Sequence, residues 1–90
     1  MEIDLISQLH RQDFDGFKYP AWESKWNTFV MVESGEYQLK LDGWQKPVIL
    51  KENDIALVPP GIRYERKALT TISFYHFSFR TQEDHPFYRS

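Results

Sequence analysis

The chain predicts an all-β domain of about six to eight antiparallel strands, and three observations predict it. Apolar residues recur in short runs with a period near two, not in long runs with a helical period. Turn signals separate those runs: Ser34-Gly35, Asp42-Gly43 and Pro59-Pro60-Gly61. Aromatic residues make up 17% of the 90 positions. Each ring can bury roughly 150–250 Å², which fills the core of a small β domain.

Residues 1–12 carry Ile3, Leu5, Ile6 and Leu9 at a spacing that fits a short helix or a strand about equally. Phe14, Phe17, Tyr19 and Trp22 follow around Gly16 and Pro20, and read as an irregular aromatic arm with a short strand. Lys25 to Glu33 is the first clear strand. Its centre, FVMV, is apolar on both faces, as burial between two layers requires. Glu36 to Asp42 alternates, with Tyr37, Leu39 and Leu41 on one face. Asp42-Gly43 predicts a type I′ hairpin turn, and Trp44 to Leu50 the returning strand. Lys51 to Asp54 is a polar turn. Ile55 to Val58 and Ile62 to Arg66 flank the Pro59-Pro60-Gly61 corner, where prolines stop one strand and aim the next. Thr71 to Phe79 is the last long strand. No repeat, linker or internal boundary interrupts this order. The chain therefore reads as a single domain over 1–90, with an arm over 1–24 and a barrel core over 25–80.

Composition narrows the function. The formal net charge is −2, and Lys and Arg are scattered. Direct nucleic-acid binding needs clustered cations along the phosphate track, so it is not expected of this domain. The absence of cysteine removes disulfides and thiolate chemistry, and fits a cytoplasmic location. No apolar run approaches the roughly 20 residues that span a bilayer, so no membrane partner is expected.

The segment NDIALVPPGIRY carries the strongest motif. It overlays the cupin pattern G-x5-P-x-G-x2-H, with Pro59 and Gly61 matched, Asn53 at the first glycine and Tyr64 at the histidine. The wider pattern, in the pieces FVMVESGEYQL, DGW, ENDIALVPPGIRY and SFYHFSF, resembles the N-terminal domain of AraC-type transcription regulators. Val32 and Gly35, then Asp54, Pro59, Pro60 and Gly61, then His76 and Phe77 stand at the matching positions. The resemblance covers about two-thirds of the chain. It implies a cupin-like double-stranded β-helix, or jelly-roll barrel, that binds a small-molecule effector such as a sugar. It also implies a possible homodimer, with DNA reached only through a separate C-terminal helix-turn-helix domain. Eleven residues follow Phe79, too few for such a unit, so the DNA-binding domain is expected to be absent from this chain.

The departures from the pattern bear on catalysis. Metal-dependent cupins carry His-x-His and a glutamate upstream. Here Trp22 and Ser24 fall near the histidine positions, and Thr28 near the glutamate. With Tyr64 at the remaining histidine, no metal and no cofactor are expected, and the resemblance implies binding without catalysis. The alternative is a small metal-dependent cupin enzyme, an isomerase or a dioxygenase. A barrel filled by its own aromatics is a third reading.

Six residues are candidates for effector contact: Tyr64, Arg66, His76, Trp22, Met31 and Tyr37. The histidine that Tyr64 replaces points into cupin barrels, so its hydroxyl either faces a pocket or is satisfied on backbone. If Tyr64 points inward, Arg66 shares its face and Arg63 does not; a guanidinium there suits an anionic group. His76 sits mid-strand, with Phe74 and Ser78 on its face and Tyr75, Phe77 and Phe79 on the other. Which face looks inward is open at this point. Trp22 offers a stacking surface or a core ring, and Met31, with Phe29, a pocket wall or core. Tyr37 stands on the apolar face of its strand.

Overall fold

In the computed structural model, residues 3–17 and 21–81 are described. Eight strands follow in chain order: β1 (Ile3–Phe14), β2 (Ala21–Glu23), β3 (Asn27–Ser34), β4 (Tyr37–Leu41), β5 (Val48–Leu50), β6 (Ile55–Val58), β7 (Arg63–Ala68) and β8 (Ile72–Thr81). They form two four-stranded sheets, β1-β8-β3-β6 and β2-β7-β4-β5, with every pairing antiparallel. The core lies between the sheets. Val30, Val32, Val58, Ile72 and Phe74 enter it from the first sheet, and Tyr37, Leu39, Leu50 and Tyr64 from the second. Each such side chain contributes roughly 1.5–3 kcal/mol on leaving water.

The corners explain why these residues make these strands. Gly35 ends β3 at φ +85°, and a Cβ there would stand 2.3 Å from the Thr71 carbonyl oxygen. Only glycine fits that approach. Asn53 takes φ +70°, the left-handed conformation that asparagine tolerates better than most residues. It thus supplies the backbone shape of the glycine it replaces. Its N–H donates to the Val32 carbonyl at 2.8 Å, and the Val32 N–H donates to the Asp54 carbonyl at 3.0 Å. Those two bonds lock the β5–β6 corner onto β3. At the next corner Gly61, at φ +80°, donates to the Ser24 carbonyl at 2.8 Å. The Pro-Pro-Gly turn is thereby tied to the end of β2.

Three local expectations change. The ambiguous N-terminal segment is a strand, β1, laid along β8. A register shift between Leu5 and Ser7 leaves Ile6 outside the pairing. That bulge breaks the alternation and produces the helix-like apolar spacing. The Asp42-Gly43 turn is not type I′, which needs positive φ at both central residues. Only Gly43 has it, at +91°, and Trp44 N–H closes the turn on the Leu41 carbonyl at 3.1 Å. This is the type II pattern, which splays the strands. Pairing of β5 therefore starts only at Val48, past Pro47, which has no N–H to give.

Candidate functional site

Register decides which side chains meet between the sheets. On β8, Phe74, His76 and Ser78 stand opposite Val32, Val30 and Thr28 of β3, so this is the inward face. On β7, Tyr64 and Arg66 stand opposite Leu41 and Leu39 of β4, and they too look inward. Tyr37 and Tyr64 are 0% and 1% exposed, and Thr28 is fully buried. Arg66 and His76 are half-buried.

The result is a polar cluster inside an apolar shell. Tyr37 Oη, Tyr64 Oη, Thr28 Oγ1 and His76 Nε2 are buried and have no hydrogen-bond partner of good geometry within the protein. Tyr64 and Thr28, and likewise Tyr37 and Arg66, approach closely enough for a weak side-chain hydrogen bond, but not in good alignment. Arg66 acts on both tyrosines and on His76. Its guanidinium carbon lies 5.9 Å from the Tyr64 ring centroid and 4.5 Å from that of Phe17. Phe17 packs in turn against Tyr37 at 5.4 Å and Phe74 at 5.8 Å. A cation over such rings is held by their negative faces.

Electrostatics set the protonation of the cluster. Burial pushes the Tyr37 phenol well above its ordinary range, against the opposing pull of the Arg66 charge. Burial raises Tyr64 likewise, with Arg66 and Thr28 opposing. Burial lowers His76, and the Arg66 charge lowers it further. At neutral pH the site thus presents two protonated phenols, a neutral imidazole, a hydroxyl and one guanidinium.

Of the six candidate residues, the fold gathers four: Tyr37, Tyr64, Arg66 and His76. Trp22 pairs directly with Tyr64 across β2 and β7, on the same face, but at the sheet edge and 48% exposed. Met31 is not in the cluster. Its β3 neighbours Thr28, Val30 and Val32 alternate inward, and Met31 faces the other way, opposite Ile55 and Tyr75. Thr28 and Phe17 also belong to the cluster and were not among the six candidates. Thr28 was visible only as the stand-in for a glutamate, and Phe17 only as an arm aromatic. Tyr19 and His85 lie outside the described residues.

No protein-family model matches the chain, and no curated protein matches it. Solved structures do. An RmlC-like cupin with a double-stranded β-helix fold from Methanocaldococcus jannaschii aligns at TM-score 0.64 and 18% identity, over 84% of this chain and 68% of that one. YcfD, a ribosomal oxygenase from Escherichia coli solved with cobalt and succinic acid, aligns at TM-score 0.71 and 18% identity, over 90% of this chain. This chain spans only 25% of YcfD. FeII HppE aligns at TM-score 0.60 and 16% identity, over 79% of this chain and 40% of that one. The chain has the cupin double-stranded β-helix fold. The comparison also corrects the expectation of binding without catalysis. A ribosomal oxygenase and FeII HppE share this fold, so the fold gives no ground for setting catalysis aside.

The metal such barrels hold does not suit the donors here. Among the described residues no three His, Cys, Asp or Glu side chains converge. A first-row cation needs several imidazole or carboxylate donors; between the sheets it would meet one imidazole beside the positive charge of Arg66. We derive no step through a metal at this cluster. Among the described residues no helix is long and apolar enough to cross a membrane.

Proposed function

We propose that this cupin domain binds a small organic anion, such as a carboxylate or phosphate ester, between its sheets. Arg66 anchors the anionic group, and Tyr37, Tyr64, Thr28 and His76 fix the rest of the molecule. The observation that carries this reading is the set of buried polar atoms that find no hydrogen bond of good geometry within the protein, the nearest approaches being Tyr37 to Arg66 and Tyr64 to Thr28. Buried polar groups are nearly always paired, and a molecule with acceptors for the three hydroxyls and a donor for the His76 imidazole would pair all four. YcfD, the oxygenase solved with succinic acid, provides a precedent for a carboxylate on this fold. With the donors among the described residues, the reaction this site supports is metal-free proton transfer, of the isomerase kind. A neutral His76 can take a proton, the tyrosine hydroxyls can donate hydrogen bonds to developing charge, and Arg66 stabilises an anionic intermediate.

The effector-sensing reading implied by the resemblance to AraC-type regulators has one observation in its favour. Phe17, from the segment before β2, lies on Arg66 and Tyr37, so ligand and arm meet at one place. Both readings share the same binding step. A thermal-shift screen with organic carboxylates and phosphate esters tests it. At least one class should raise the melting temperature of the wild type and leave Arg66→Met unmoved. A screen in which no anion moves the wild type contradicts the proposal. Conversion of a binding compound, followed by proton exchange at carbon, separates enzyme from sensor.

A further inference from the structure

The outward face of the β1-β8-β3-β6 sheet is apolar across β8, β3 and β6. Phe29 and Met31 of β3, Ile55 and Leu57 of β6, and Tyr75, Phe77 and Phe79 of β8 share it by register, with Leu5 of β1 opposite Phe79. Leu5, Ile55 and Leu57 are 56%, 56% and 57% exposed, and the five β3 and β8 side chains are partly exposed. Phe77 lies at the centre, 5.8 Å from Phe29 and parallel to Tyr75 at 6.3 Å. Polar groups border it along β1 and at its ends: Gln8 opposite Phe77, Asn27 opposite Phe79, and His10 Nε2 to Glu33 Oε1 at 3.1 Å, with the His10 ring stacked on Tyr75 at 4.0 Å.

We infer that this face is the interface of a two-fold dimer of the chain. Taking about 200 Å² for a whole large side chain, the exposed fractions leave on the order of 500–600 Å² of contiguous apolar surface. Two such faces remove about 1,000–1,200 Å² from water, the lower bound for a specific association. The shape selects the partner. A sheet face carrying side chains from adjacent strands packs on another sheet at roughly 10 Å separation. Its charge selects against a membrane or nucleic acid, since no Lys or Arg occupies an outward position on these described strands. An isologous contact centred near Phe77 places apolar residues against apolar residues from both copies.

Sedimentation equilibrium on the full chain, over roughly 1–300 µM, tests the inference in a range that resolves micromolar dissociation constants. The expected mass rises toward twice 10.8 kDa. Replacing Ile55 and Leu57 together by Lys should weaken the dimer at least about a hundredfold, as putting two charges into an apolar contact does. Ile49→Lys, at an exposed position on the outward face of the other sheet opposite Gln38, should leave it intact. Radical footprinting of the wild type provides a readout independent of any variant: Met31, Leu57 and Phe77 should become protected as concentration rises. A chain that stays at 10.8 kDa throughout, or a folded Ile55→Lys/Leu57→Lys variant that still dimerises as the wild type does, overturns the inference. So does a monomer whose Phe77 face is protected only by lipid vesicles.

Discussion

Tyr64→Phe removes one oxygen from the centre of the proposed site and leaves the packing alone. The ring is 1% exposed, and its hydroxyl has no protein partner of good geometry. A buried hydroxyl without a partner costs roughly 1–3 kcal/mol relative to an apolar group of the same shape. Loss of the misaligned contact with Thr28 returns at most about 0.5–1.5 kcal/mol. The net expectation is a variant more stable by about 1 kcal/mol. For a domain of this size that is roughly 4–8 °C in melting temperature. Ligand affinity should fall at the same time, because the hydroxyl that was costly in the free protein is paired in the complex. Thermal unfolding by circular dichroism, with and without a binding anion, reads both effects. A Tyr64→Phe variant that melts several degrees below the wild type would refute the reasoning. It would mean that the hydroxyl is satisfied within the protein and is not held in reserve for a ligand.

Other consequences follow from the corners and from the protonation of the cluster. Gly35→Ala should cost at least about 2–3 kcal/mol, since it combines a left-handed backbone with a 2.3 Å approach to the Thr71 carbonyl; urea unfolding checks it, and a shift under 1 kcal/mol argues against the corner geometry. Asn53→Gly should be neutral to within roughly 0.5 kcal/mol, whereas Asn53→Val, β-branched at positive φ, should lose about 1–2 kcal/mol. His76 is depressed by burial and by Arg66, so the unfolded chain takes up its proton first. Stability should therefore drop as pH falls below the ordinary imidazole value of about 6.5. Tyr37 and Tyr64 are raised by burial, so the unfolded chain loses those protons first. Stability should also drop above pH of about 10, by up to about 1.4 kcal/mol per pH unit for each tyrosine. Unfolding free energies across that range check both limbs, and a flat profile on either side contradicts the assigned burial.

Much of the fold was legible because its corners are written in short, chemically strict signals. Pro59-Pro60-Gly61, Ser34-Gly35 and the alternation of β4 each admit few backbone shapes, and the observed strands follow them. Asn53 was legible as a glycine substitute, and its positive φ explains why the substitution is tolerated. β1 was not legible, since a bulge at Ile6 shifts the period halfway along the strand. The turn at Asp42-Gly43 was misread because Asp-Gly serves more than one turn type and Pro47 postpones pairing. The site was legible in part. Parity along β7 put Arg66 with Tyr64, and parity along β8 grouped Phe74, His76 and Ser78. Parity cannot say which face is inward when both carry aromatics, and β3 and β8 do. Met31 was assigned to the pocket for that reason, and it stands on the outer face instead. Phe17 reaches Arg66 only through the chain's path outside regular strands, which no local pattern encodes.

Calorimetric titration of a small organic anion into the wild type and Arg66→Met tests the central claim most directly. The account expects stoichiometric binding to the wild type and a loss of at least about 1.5–3 kcal/mol in the variant, the worth of a charge-assisted hydrogen bond. Equal affinity for the two proteins would contradict it, because the anion would then be held somewhere other than beside Tyr37, Tyr64 and His76.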